Sequence, residues 1–325
     1  MTIAPDQLFQ FGGEPVGSML GIGNVYYVIQ TTHPQYSVFI RDRQGTYKND
    51  DSAIVHTSIA SALTATVTKR NDYVIVMPDT TDYDEDETLT MNKNNVHLIC
   101  PAGLGAPVGC MRGATIDPNS SAHAITITAR GVEVAGFWIR GYAEKYCISV
   151  SGVYGGGWGY IHHNDCAITS TSSSGTAAGG IIVSSTDAGA GTSQTIAYNR
   201  VFTMAGATAT VVGGITASYT SAWLQVIGNH VVVGNGCAMT FGIQNRGVMG
   251  IIADNYVYEA ATSAGMSAGT LTVGIDVGES VFCVNNSLSI ATTANAIETV
   301  GVDACVENYA GAPSGSIQVY TGSTT

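Results

Sequence analysis

The sequence predicts an all-β chain folded as a right-handed parallel β-helix, with an N-terminal capping segment that contains a short helix. Two phrases recurring in phase carry that prediction. The first is apolar-x-x-Asn-x-small/apolar. It occurs at Ile161–Cys166, Ile196–Val201, Val226–Val231, Ile252–Val257, Cys283–Leu288 and Cys305–Ala310. The asparagines Asn164, Asn199, Asn229, Asn255, Asn286 and Asn308 are separated by 35, 30, 26, 31 and 22 residues. Periods of this size signify stacked repeats. The second phrase, small-Ile-x-apolar/small, places Ile148, Ile181, Ile215, Ile243, Ile275 and Ile297 between 11 and 18 residues before the matching Asn. Two phrases in one order over six rounds describe a coil with at least two strands and loops of variable length.

Within each phrase the sides alternate with the period of a strand. The isoleucines are expected to stack in the core. Their followers, Ser149, Ile182, Thr216, Gln244, Asp276 and Glu298, are expected to face solvent. Asn tolerates the left-handed backbone, and its amide can bond to the same group one coil away. A strand, an Asn bend and a second strand then turn a corner around one core, with the asparagines forming a ladder. The right hand follows from the general rule for parallel crossovers. Neither the leucine spacing nor the helix per repeat of leucine-rich repeats is present.

The remaining elements follow in chain order. Residues 1–50 form an N-terminal arm for docking and capping. Within it, Val25–Ile29 and Tyr36–Ile40 read as two strands joined by a turn-prone stretch containing Pro34. Residues 53–67 read as an amphipathic helix with Ile54, Ile59, Leu63 and Val67 on one side. Strands follow at 72–78, 83–91 and 95–100, and residues 125–139 supply a further round. The coils span 51–311, and 312–325 form a C-terminal tail.

The helix, the DYVIVMP strand, the YDEDETLTM strand and the NVHLI strand resemble the capping start of β-helices in phage tailspikes and virion proteins. Residues 50–310 as a whole resemble the pectin-lyase-like parallel β-helix superfamily. That resemblance implies a bacteriophage virion structural protein: a trimeric capsid decoration protein, or a short spike, on the outer surface of the particle and assembled in the host cytoplasm. It implies a homotrimer, with the major capsid protein or another virion protein as partner and a surface glycan as a further one. The alternative it carries is a polysaccharide depolymerase, hydrolase or lyase, or a glycan-binding adhesin.

Composition narrows these readings. Charged residues make up 11% of the chain while hydrophobic residues make up 45%, which suits dense stacking rather than disorder. The net charge is −12, and after residue 150 the basic side chains other than histidine are Arg200 and Arg246. A nucleic-acid partner is not expected, because phosphates need Lys and Arg; a polyuronate cleft is disfavoured for the same reason. No apolar stretch is long enough to span a membrane, and the first ten residues lack the pattern of a secretory signal. Seven cysteines exclude complete pairing. Cys166, Cys283 and Cys305 occupy core columns of the phrases and read as reduced thiols. A Cys283–Cys305 bridge is geometrically open, since adjacent coils lie about 4.8 Å apart. No metal or cofactor is expected.

The sharpest chemical candidate is Asp276 with Glu298. They follow the Ile of successive rounds, about 5 Å apart by strand spacing, close to the carboxyl separation of retaining glycosidases. The competing reading is two solvated surface acids. His162-His163-Asn164-Asp165 has metal-ligand types, but no partners are expected from other rounds, so it reads as a turn. The acidic stretch 82–87 lacks the spacing of a calcium loop. Phe202, Val232 and Tyr258, three residues after the ladder Asn, form an outward apolar stripe, with Tyr256 and Tyr309 beside it. Such stripes mark association sites, so this one is expected at the three-fold axis. Phe9, Phe11, Arg41, Arg43 and Lys48 combine an apolar arm with a basic cluster and are the expected particle-docking residues.

Overall fold

A computed structural model of the protein describes residues 10–11, 14–15, 23–44, 53–84, 88–104, 113–118, 123–142, 145–151, 157–169, 178–184, 193–204, 210–217, 222–234, 236–260, 269–278, 280–291, 296–299, 305–311 and 317–320. It is a right-handed parallel β-helix with a short helix near its N-terminus. Three sheets run along its length. The first, of 11 strands, holds the strand before each Asn bend, such as Tyr160–His162 and Gln225–Ile227. The second, of 10 strands, holds the strand after it, such as Asp165–Ile168 and His230–Val233. The third, of 8 strands, holds the isoleucine phrase, from Leu89–Met91 to Ile297–Thr299.

The register carries each expected core column from coil to coil. Ile148, Ile181, Ile215, Ile243, Ile275 and Ile297 are successive partners in the third sheet. The first five are fully buried, and Ile297 packs against the same core. Burying each such side chain contributes about 1.5–3 kcal/mol. The small residue before each isoleucine has a steric cause. A Cβ added at Gly180, Gly214 or Gly242 would stand 2.3–2.5 Å from a methyl of Val201, Val231 or Val257 on the second sheet.

The asparagines form the expected ladder. Each is completely buried. The side-chain oxygen of Asn199 accepts from the backbone N–H and the amide of Asn164, at 3.1 Å each. The same pattern repeats through Asn229, Asn255, Asn286 and Asn308. Each amide also donates to a carbonyl of the coil below, as Asn199 does to Ile161 at 2.9 Å. At the lower end Asn164 accepts from the N–H of Phe137, which holds the Asn position of its own coil. The left-handed seat is not the asparagine's. It belongs to the residue before it: Gly136, His163, Tyr198, Gly228, Asp254, Asn285 and Glu307 all have φ between 54° and 83°. The asparagine is needed for its two-sided amide rather than for its backbone tolerance.

The ends differ from expectation. Val25–Val28 joins the first sheet beside Asp72–Val76 and so belongs to the β-helix. Tyr36–Phe39 is a helical turn instead of a second strand. Tyr36, Phe39 and Ile40 pack against Tyr27, Ile29 and Ile75, burying an apolar side that a strand would split between two faces. The amphipathic helix is shorter than 53–67. It runs Ile59–Ala65 behind the strand Val55–His56, buries Ile59, Ala62 and Leu63, and leaves Val67 beyond its end and exposed. Ser58 caps its start. The ammonium of Lys93 donates to the carbonyls of Leu63, Thr64 and Thr66 at its end. Within the expected tail, Ile317–Tyr320 pairs antiparallel with Asn308–Gly311 and covers the upper edge of the second sheet.

Candidate functional site

Asp276 and Glu298 are register partners on neighbouring coils, as expected. Their surroundings are not those of two solvated acids. Asp276 is fully buried, and its Oδ2 lies 2.6 Å from Arg246 Nε and 2.6 Å from the amide nitrogen of Gln244. Glu298 is exposed. Ser149 and Thr216 in the same column are also buried, while Ile182 and Gln244 are half-buried. Asp276 is held in an ion pair and does not stand beside Glu298 as a free second carboxyl.

Phe202, Val232 and Tyr258 do form a contiguous stripe on the second sheet, but all three are half-buried. Trp138 packs edge-on to Phe202 at 5.2 Å, and the guanidinium of Arg200 sits 4.4 Å from its ring centre. Tyr256 and Tyr309 are more open, at 50% and 42% exposure. Of the docking residues, Phe11 lies in a two-residue strand, Gln10–Phe11. Arg41 is exposed and pairs with Asp42 in the turn Ile40–Gln44, which also holds Arg43. Phe9 and Lys48 fall outside the described residues. Asp82, from the acidic stretch, lies 3.0 Å from Arg140.

The outward face of the first sheet carries the groups that sequence reasoning missed. One outward column runs Tyr73, His97, Glu133, Tyr160, Thr195, Gln225, Ile251 and Phe282, each residue the register partner of the next. Its upper part is apolar. Ile251 and Phe282, with Trp223 and Met249 from the preceding corner, line a groove of about 500 Å³ that also contacts Gln225 and Ser280. Phe282 is 59% and Trp223 53% exposed. Trp223, Met249 and Ser280 all hold left-handed backbones, so the corner recurs in register on each coil. Trp158, at the same corner two coils below Trp223, is the most exposed of the large apolar residues described.

The lower part is a hydrogen-bonded chain of titratable groups. His97 Nδ1 lies 2.6 Å from Glu133 Oε2, and His162 Nε2 lies 2.8 Å from Glu133 Oε1. A carboxylate only accepts, so both imidazoles donate to it. His97 Nε2 contacts Asn71 Oδ1 at 2.8 Å, and His162 Nδ1 contacts His163 Nδ1 at 2.8 Å. Tyr73 stacks on His97 and Tyr160 on His162, with centroids 4.3 Å and 3.8 Å apart. Burial pushes the Glu133 carboxyl up, but the hydrogen bonds and charges of His162 and His97 outweigh it and hold the group at about 2. The expectation that no other round supplies partners to the His162–His163 pair is therefore wrong: Glu133, one coil below, supplies one and links it to His97. Among the described residues no group of three or more ligand types is arranged to hold a metal ion. Comparison of the chain with family models, with curated proteins and with solved structures finds no match in any of the three.

Proposed function

We propose that this chain is a structural protein of a bacteriophage virion, a homotrimeric capsid decoration protein or short spike on the outer surface of the particle. In this reading it assembles in the host cytoplasm, and residues 1–50 attach it to the major capsid protein or another virion protein. Its work is passive: stacked coils make a rigid acidic projection, and three copies give multivalent attachment. The observation that carries the association is the apolar row of Trp223, Met249, Ile251 and Phe282, exposed along one face of a chain of net charge −12. Exposed patches of this kind mark contacts between proteins. The trimer contact is accordingly placed on the first sheet, rather than on the half-buried Phe202 stripe.

Sedimentation at micromolar concentration tests the reading. A trimer of the 33.6 kDa chain is expected, converted to monomer by Ile251→Asp with Phe282→Asp at unchanged far-UV circular dichroism. A wild-type monomer removes the proposal. Cryo-electron microscopy of the particle tests the location: regular trimers on the shell are expected, and none on any particle overturns it.

A second reading has its own observation. Trp158 and Trp223 stand two coils apart, roughly 9.6 Å, with Ser193 and Thr195 on the coil between them. Two indoles flanking hydroxyls are a surface on which sugar rings stack, which supports contact with a glycan without cleavage. The depolymerase alternative loses ground with the burial of Asp276. Loss of binding to host-surface polysaccharide in Trp158→Ala with Trp223→Ala supports the glycan reading, and retained binding overturns it.

A further inference from the structure

The contact between His162 and His163 has a proton count that the rest of the cluster does not share. Their Nδ1 atoms are 2.8 Å apart, so one proton lies between them. His162 Nε2 carries a second, donated to Glu133. The remaining nitrogen, Nε2 of His163, can be bare or protonated without disturbing the contact. The pair therefore accepts one positive charge. A second charge puts N–H on both Nδ1 atoms, and two donors cannot face each other at hydrogen-bond distance.

We propose that the His162–His163 contact is a mild-acid latch at the bend between the first and second sheets, which opens when both imidazoles are charged while the Glu133 clamp persists.

The titratable groups facing the pair, among the described residues, are Glu133 and His97 from the coils below, Tyr160 from its own strand and Tyr198 from the coil above. Glu133 stays ionised down to about 2, so it does not release its histidines over the range in which imidazoles titrate. His163 is the weak member. Burial first, and then the charge of His162, hold it below the ordinary histidine value. A group lowered in this way contributes stability above its unfolded value of about 6.5, and that stability is lost as the pH falls toward the folded value. Opening has a direct structural consequence. His163 occupies the left-handed corner, φ 54°, immediately before Asn164, and its ring lies 5.3 Å from that of Tyr198. Released from His162, it leaves the half-open ring of Tyr198 without breaking a hydrogen bond of the buried ladder.

The experiment is histidine-resolved proton–carbon NMR of the full chain from pH 8 to 4. The expected result is a His163 midpoint below 6.5 in the wild type, with the Tyr198 resonances shifting at the same midpoint. In His162→Gln the His163 midpoint should rise toward the ordinary value. In His163→Asn, whose new residue tolerates the corner, the acid shift of Tyr198 should vanish while the fold remains. A His163 midpoint at or above 6.5, a midpoint unmoved by His162→Gln, or a Tyr198 shift that survives His163→Asn overturns the latch.

Discussion

Replacing Asn229 by alanine tests the ladder at a rung bonded to the coils on both sides. Its amide nitrogen donates to Ile196 O at 2.9 Å, to Ile227 O at 3.1 Å and to Asn255 Oδ1 at 3.1 Å. Its oxygen accepts from Asn199 N and Nδ2 at 2.9 and 3.0 Å. Several partners have alternatives: Ile227 O keeps the N–H of Tyr198, Asn199 Nδ2 keeps Ile161 O and Ala197 O, and Asn255 Oδ1 keeps the N–H of Asn229. The carbonyl of Ile196 keeps the N–H of Ile227 in the parallel ladder, which leaves one side-chain-dependent contact with no such replacement, that to the N–H of Asn199. Each buried polar group left unpaired costs about 1–3 kcal/mol, so Asn229→Ala should destabilise by about 1–3 kcal/mol. That is a large share of the roughly 5–15 kcal/mol that holds a domain together. Chemical denaturation followed by circular dichroism gives the total, and amide hydrogen exchange at Asn199 gives the local loss of protection. The double change with Asn255→Ala should cost less than the sum of the singles, because the two share one rung. A single cost below about 1 kcal/mol with Asn199 still protected would show that the rungs are not what holds the bend.

Two further outcomes follow from the corners and the core. Glu307 is exposed with φ 55°, a conformation costing a side chain roughly 1–2 kcal/mol; after the entropy that glycine adds to the unfolded chain, about 0.5–1 kcal/mol, Glu307→Gly should stabilise by about 0.5–1 kcal/mol and raise Tm. Cys283 and Cys305 are register partners, buried and unbridged, so both should resist maleimide in the native protein and react on unfolding without reductant. A mass two hydrogens short in the unfolded, unreduced chain would mean that they are joined.

What was legible in the sequence was whatever points inward. The isoleucine and asparagine columns repeat because each position touches its own counterpart one coil away, and a change there leaves a void or an unpaired amide. Outward residues meet no such demand, and there the reading failed. Asp276 was placed in solvent because strand alternation says only that it leaves the core, not whether something covers it. The left-handed seat was given to the asparagine because its neighbours vary from Tyr198 to Glu307, which hides a shared backbone conformation behind unlike side chains. Glu133 was missed because its coil carries Phe137 where later coils carry Asn, so the phrase that sets the register is absent there. Aligning Val134 with Ile161 would have put Glu133 beside Tyr160, and aligning it with Leu98 would have put His97 on the other side.

That outward column also separates two tasks along one axis. Parallel stacking limits register tightly, with a shift at Ala178–Gly179 as an exception: a one-residue slip along a whole strand would send its core side chains to the surface. Any chemistry the protein gains must therefore be written into outward positions and corners, one coil at a time. The column from Tyr73 to Phe282 begins with imidazoles, a carboxylate and stacked tyrosines, passes through Thr195 and Gln225, and ends in Ile251 and Phe282. Several coils separate its two ends, so the partly buried titratable chain at Glu133 and the apolar groove at Phe282 do not compete for the same area. An apolar interface at Glu133 would have to desolvate a carboxylate, which is costly. An acid-sensitive pair placed among Trp223, Met249 and Phe282 would lose the water it needs to take up a proton. The gradient along one column is how a repeat fold holds an exposed apolar groove and a cluster of titratable groups on the same face.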